Sequence, residues 1–189
     1  MSKRLLIFAV CPFLFWSCAR IARVMDDSPP VSLGEFYTQV NMWVEYPKPI
    51  LSSNYHMGEM IPLGSSVTLT AANARDIKFI YNGRQFTLRH ERRHTFASIG
   101  ELQNRMFKTT NPLESAAFTS LSAQQQADVR AGNVTVGMTK EAVLMAYGYP
   151  PENETSSTAA NTWVYWRSKF QPRKSVTFAD GKVVSTIGF

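Results

Sequence analysis

Apolar and polar positions along the chain change their period several times, and each change marks a predicted element. Between Pro29-Pro30 and the pair Pro47 and Pro49, residues Leu33, Phe36, Tyr37, Val40, Trp43 and Val44 recur at helical spacing, and Ser32 and Glu35 are placed as a capping box. The spacing predicts one amphipathic helix, packed against the following unit or lying on a membrane surface. From Ile61 to about His90 the texture is alternation: Val67 and Leu69, then Ile77, Phe79 and Tyr81, then Phe86 and Leu88. Asn82-Gly83 separates the last two runs and signals a tight hairpin, because both residues tolerate positive φ. With Pro62 and Gly64 ahead of it, this stretch predicts a small, strongly bent sheet or barrel. Ser98 and Glu101 then form a second capping box, and Ile99, Leu102 and Met106 share one face of a helix of about three turns.

Asn111-Pro112 opens a polar stretch through Ser120, which divides the chain into a unit over 31–110, a linker over 111–121 and a second domain over 122–189. In that domain Ser122 caps a helix carrying Gln124, Gln125, Ala127 and Val129, which ends at Gly132. Thr139 caps a second helix with Val143, Leu144, Ala146 and Tyr147 on its apolar face; Gly148 ends it and Pro150-Pro151 forbid continuation. Three strands follow over Thr162–Phe170, Lys174–Phe178 and Lys182–Ile187, the last two joined at Asp180-Gly181. So small a sheet must bury one face against the helix pair, which puts Trp163, Tyr165, Val176 and Phe178 in the core. The predicted class is α+β: a C-terminal domain of two helices and a three-stranded antiparallel sheet, preceded by a small β-barrel-like domain with flanking helices.

Composition adds the compartment. Lys3 and Arg4 precede an uncharged, mostly apolar run from Leu5 to Trp16, the outline of a secretory signal. Twelve residues are well short of the ~20 that a helix needs to cross a bilayer, and Pro12 weakens such a helix further. The only cysteines are Cys11 and Cys18, so no disulfide framework holds the chain beyond them. The net charge of +6 is mild, Lys3 and Arg4 supply part of it, and export would separate the protein from nucleic acid. Anionic phospholipid headgroups are the electrostatic partner that fits.

Two resemblances extend this reading. Ser17-Cys18 after the apolar run resembles the lipidation site of bacterial lipoproteins, which implies removal of residues 1–18 and acyl chains on Cys18. Ala19 beside it is not the aspartate that resembles an inner-membrane retention signal, which implies the periplasmic side of the outer membrane. Ordinary cleavage after Ala19 is the alternative and would release a soluble periplasmic protein. Residues from about 122 to 187 are similar to the BamE (SmpA/OmlA) family of outer-membrane lipoproteins. The likeness is carried by Gly137, Met138 and Thr139, by Gly148 and Pro150 around the end of the second helix, by Trp163 and Tyr165, and by Phe178 and Gly181 in the last hairpin. It implies a two-helix, three-strand domain on a lipid tether that contacts partner lipoproteins and phosphatidylglycerol during assembly of outer-membrane barrels. The hundred or so residues ahead of it depart from the short members of that family. The bent sheet among them loosely resembles bacterial Src-homology-like modules.

One stretch carries possible chemistry. His90-Glu91-Arg92-Arg93-His94 fits the pattern in which two histidines one helical turn apart hold zinc and the intervening glutamate is general base. The motif continues a strand rather than a helix, both central positions are arginine, and no second motif supplies a third ligand. The plainer reading is an exposed, basic strand end or loop. There is no glycine-rich phosphate loop, no G-x-S-x-G elbow and no C-x-x-C pair. Trp166, Arg167, Lys169, Arg173 and Lys174 gather beside the core positions Trp163 and Tyr165, and alternation exposes Trp166 among these cations, a composition suited to an interface. The sequence thus predicts a non-enzymatic envelope protein with no cofactor and no bound metal. It would bind envelope proteins, barrel-assembly components among them, or anionic lipid. A soluble periplasmic module that binds through the N-terminal barrel is the alternative, and a zinc hydrolase using His90, Glu91 and His94 the remote one.

Overall fold

In the computed structural model, which describes residues 31–53, 56–166 and 171–189, the helix expected over 33–44 is replaced by two strands, β1 (Gly34–Thr38) and β2 (Met42–Val44). Phe36, Thr38, Val40, Met42 and Val44 are all buried, a period of two that shares positions 36, 40 and 44 with the helical spacing. Pairing decides between the two periods: β1 lies antiparallel between β5 (Ser66–Ala72) and β8 (Phe107–Lys108). The supposed capping residues have other partners. Glu35 accepts from Thr68 Oγ1 at 2.6 Å, and the Ser32 amide donates to Gln103 Oε1 at 2.9 Å.

The expected bent sheet is present. It has six strands in the order β3-β7-β6-β5-β1-β8, with β3 at Ile50–Leu51, β6 at Asp76–Tyr81 and β7 at Arg84–Arg89. A two-stranded ribbon pairs β2 with β4 (Glu59–Ile61). The β6–β7 hairpin turns at Asn82 and Gly83, whose φ values of 47° and 70° are those of a tight two-residue turn. Val67, Leu69, Ile77, Phe79, Phe86 and Leu88 fill the core this sheet encloses. Helix α1 (Ile99–Met106) carries the capping box of Ser98 and Glu101 and is eight residues long, shorter than the three turns expected. It stops because the Phe107 amide closes on the Gln103 carbonyl and the chain passes directly into β8.

The 111–121 segment is structured, contrary to its reading as a linker. Asn111 caps a short 3-10 turn over Pro112–Glu114, and Ser115 caps the single-turn helix α2 (Ala116–Thr119). Phe118 and Leu121 anchor it in the second core, an apolar pair sparse enough to be hidden among polar neighbours. Helices α3 (Ala123–Ala131) and α4 (Lys140–Tyr147) follow with the predicted caps, Ser122 and Thr139, and the predicted ends, Gly132 and Gly148. The sheet β11-β10-β9 completes the unit, with β9 at Thr162–Tyr165, β10 at Lys174–Ala179 and β11 at Lys182–Ile187. Trp163, Tyr165, Val176 and Phe178 are buried against α3 and α4, as alternation required.

The class is therefore mixed α+β: among the described residues, a curled multi-stranded sheet, a three-stranded sheet, the two-stranded ribbon and four α-helices. The predicted signal over 1–18, Cys18 included, lies outside the described residues, as does the far end of the strand expected to reach Phe170. Among the described residues no helix is long and apolar enough to cross a membrane.

Candidate functional site: a cleft at the seam

The two cores are joined by polar side chains placed at the carbonyl ends of helices. Asn41, fully buried between β1 and β2, donates through Nδ2 to the carbonyls of Val129 on α3 (2.7 Å) and Ala146 on α4 (3.0 Å). Its Oδ1 accepts from the Leu63 amide at 2.7 Å, and its own amide donates to Met145 at 3.1 Å. Each part of this amide is used, so one residue of the first sheet closes the ends of both helices. Beside it Trp43 packs against the backbone of Gly132, where a Cβ would lie 2.8 Å from the indole. His56 stacks on Tyr147 with ring centroids 3.4 Å apart and, through Nε2, donates to the Tyr147 carbonyl at 2.7 Å. Burial lowers the His56 pKa to about 3, and Lys174 adds to that, although the Tyr147 and Trp166 backbones pull the other way. The ring is neutral at physiological pH and belongs to the core.

A second clasp lies after α4. The Glu152 carboxylate accepts from the amides of Phe96 and Ala97 and pairs with Arg105 Nη1 at 2.5 Å, while its amide donates to the His94 carbonyl at 2.8 Å. Burial alone would raise the Glu152 pKa, but the Arg105 hydrogen bond and the two amides hold it below the usual glutamate range. The Arg105 guanidinium also lies 5.1 Å from the centroid of Tyr149.

Between these clasps is an open cleft of about 760 Å³. Its apolar lining is Val40 from the loop after β1, Pro112 and Ala117 from the 111–117 segment, and Leu144 and Met145 from α4. Tyr37 and Tyr149 also line it, Gln39, Asn104 and Asn111 offer amide donors and acceptors, and Lys108, Glu114 and Glu141 stand exposed at its edge. An apolar floor under a few polar groups and charges of both signs can hold a ligand or the edge of a partner in one orientation. Both units line the cleft, so its shape depends on the seam.

The residues that carry the family likeness are placed structurally. Thr139 accepts from the Ala142 amide at 3.1 Å as the α4 cap, the Gly137 amide pairs with Val183 at 2.8 Å, and Met138 is buried. Tyr165 donates from its hydroxyl to the Gly148 carbonyl at 3.0 Å, Pro150 is buried, and Gly181 makes the β10–β11 turn with Asp180. Trp163 and Phe178 pack with centroids 4.6 Å apart and their rings tilted by 57° inside the core. Burial raises the Tyr165 pKa well above that of an ordinary phenol.

The proposed interface cluster is broken up by its own neighbours. Trp166 is half-buried against His94, centroids 4.5 Å apart, and not exposed as alternation implied, because the 91–94 turn covers it. Arg173 pairs with Glu154 at 2.8 Å, and the Lys174 ammonium sits 4.7 Å from the Phe189 ring and 5.2 Å from that of Tyr147. Arg167 and Lys169 lie outside the described residues. The histidine motif is not a helix: the amides of His94 and Thr95 close a turn on the Glu91 carbonyl at 2.9 and 3.0 Å. His90 is buried, contrary to its reading as exposed, with Nε2 bonded to the Thr95 carbonyl at 3.0 Å, whereas Arg92 and Arg93 are exposed as read. Among the described residues no group of three His, Cys, Asp or Glu side chains is arranged to hold a metal ion.

Asn41 and the cleft escaped sequence reasoning. The signal for Asn41 was present, a single amide inside the apolar run Val40 to Val44. The cleft had none, because its lining comes from distant segments. Fold and cleft together define the class, a mixed α+β protein with an open cleft where its two cores meet. Compared with models of protein families, with curated proteins and with solved structures, the chain gives no match.

Proposed function

We propose that this is a non-enzymatic lipoprotein of the bacterial envelope, held at the outer membrane through Cys18, which binds an envelope protein in the cleft between its two units. The observation that carries the binding part is the cleft itself: about 760 Å³, lined by both units, with an apolar floor and a rim of opposite charges. The tether rests on the Lys3-Arg4 segment, the apolar run and Ser17-Cys18. The likeness of 122–187 to the BamE family agrees with the observed order of two helices and three strands, and points to partners in outer-membrane barrel assembly. In this reading the motif residues build the scaffold, and specificity lies in the lining contributed by the first sheet and the 111–117 segment.

Photo-crosslinking in intact cells tests the reading. A crosslinker placed at Ala117 or Glu141, both in the lining, should give a discrete adduct with one envelope protein, and one at exposed Ala71, near the end of β5 remote from the Tyr37–Ser66 pair, should not. Equal labelling from all three positions, or none from the cleft, would contradict it.

A further inference from the structure

A second cavity, of about 510 Å³, shares no lining residue with the seam cleft and lies at the open end of the β6–β7 hairpin. Six residues line it: Arg75, Arg89, His90, Glu91, Arg92 and Arg93. Four guanidinium groups thus face one space with a single carboxylate among them.

The backbone holds them there. Asn73 Oδ1 accepts from the amides of Arg75 and Asp76 at 2.8 and 2.9 Å, and the His90 amide donates to the Arg75 carbonyl at 2.7 Å. The Glu91 amide donates to Ser52 Oγ at 2.8 Å, and the 91–94 turn then sets Arg92 and Arg93 beside Arg75. Arg89 is committed to Asp76, with two hydrogen bonds of 2.9 and 3.3 Å, and Arg92 Nη2 donates to the Ala74 carbonyl at 3.0 Å. Among the described residues the guanidinium groups of Arg75 and Arg93 have no hydrogen-bonded or ion-paired side chain, and both residues are exposed. His90 is buried in the wall, and its Nδ1 has no hydrogen-bond partner among the described residues.

Cations gathered in one cavity repel each other, and an anion entering it relieves that repulsion. Guanidinium forks match the oxygens of a phosphate group in pairs, so arginine is the residue suited to this geometry. We propose that this pocket is a receptor for a phosphate group, borne by a soluble phosphate or by a lipid headgroup, with Arg75 and Arg93 as the grasping side chains and Arg92 beside them. The site is separate from the seam cleft and does not depend on the function proposed above.

The test uses the full chain with Cys18→Ala, so that no acyl chain contributes. Calorimetric titration with inorganic phosphate and pyrophosphate at fixed ionic strength reads the soluble source. Co-flotation with phosphatidylglycerol-containing vesicles, over that with phosphatidylcholine vesicles, reads the headgroup. Three variants are compared: Arg75→Gln with Arg93→Gln, the charge-conserving Arg93→Lys, and Arg84→Gln as a surface arginine outside the pocket. We expect at least one of the two probes to bind, a loss of tenfold or more in the double variant, a partial loss in Arg93→Lys, and no change in Arg84→Gln. Thermal melting should be the same as for the parent in the two pocket variants, because neither Arg75 nor Arg93 bonds to the fold through its side chain. Absence of binding to both probes would overturn the proposal. So would an equal loss in Arg84→Gln, which would show that only net charge matters.

Discussion

Two buried polar residues determine how the units are joined, and they make opposite demands. Asn41 is stabilising only with all its partners in place, since the Leu63 amide and the Val129 and Ala146 carbonyls have been withdrawn from water to meet it. Asn41→Ala should cost about 2–4 kcal/mol, read from urea unfolding midpoints, because it strands buried groups as well as removing bonds. His56 must stay neutral. Its pKa is about 3 in the folded protein against 6.5 in the unfolded chain, so its contribution is complete above pH 6.5 and is lost as pH falls toward 3. At pH 4.5 the unfolded chain has taken up the proton and the native one has not, a penalty on the order of 2 kcal/mol. Asp76, Glu101 and Glu152 have lowered pKa values, so their contributions are complete above the usual carboxylate range and are lost as pH falls through and below it. Unfolding at pH 7 and pH 4.5 should therefore show a drop that His56→Phe largely removes, whatever that change costs at pH 7.

At the scale of elements, the loop after α4 and the start of α1 are one structure through Glu152. Glu152→Ala should leave the Phe96 and Ala97 amides without their acceptor, and hydrogen exchange at those two positions should speed up at least tenfold. Elements with local punctuation were legible in the sequence: the hairpins at Asn82-Gly83 and Asp180-Gly181, and the helices capped by Ser98, Ser122 and Thr139. Each is specified by residues within a few positions of one another. The first stretch was misread because Phe36, Val40 and Val44 satisfy both periods, and the choice between them is made by strands β5 and β8, thirty to seventy residues away. The 111–121 segment was misread because Phe118 and Leu121, its main anchors in the second core, are scattered among polar neighbours. The candidate cleft was invisible for a related reason, since β1, β8 and α4 meet only once the chain has folded. Gly132 shows the same coupling in reverse: it was legible as a helix end, but not as the surface against which Trp43 lies.

At the scale of the whole molecule, the two sheets do not have separate fates. Leu63, between β4 and β5, joins the second core, Tyr149 packs against the first, and Asn41 ties both helices to β1 and β2. Chemical unfolding followed by tryptophan fluorescence and by far-ultraviolet circular dichroism should give one coincident transition; Trp43 reports the seam and Trp163 the second core. Two resolved transitions would show that the seam couples the units too weakly to shape a shared cleft. The central claim, that this body works at a membrane on a lipid tether, is tested most directly by the intact mass of the membrane-extracted protein beside that of a Cys18→Ala variant. The account predicts a chain beginning at Cys18 and carrying acyl groups, and a variant that lacks them and leaves the membrane fraction. An unmodified chain cleaved after Ala19 and recovered in the soluble periplasmic pool would contradict it.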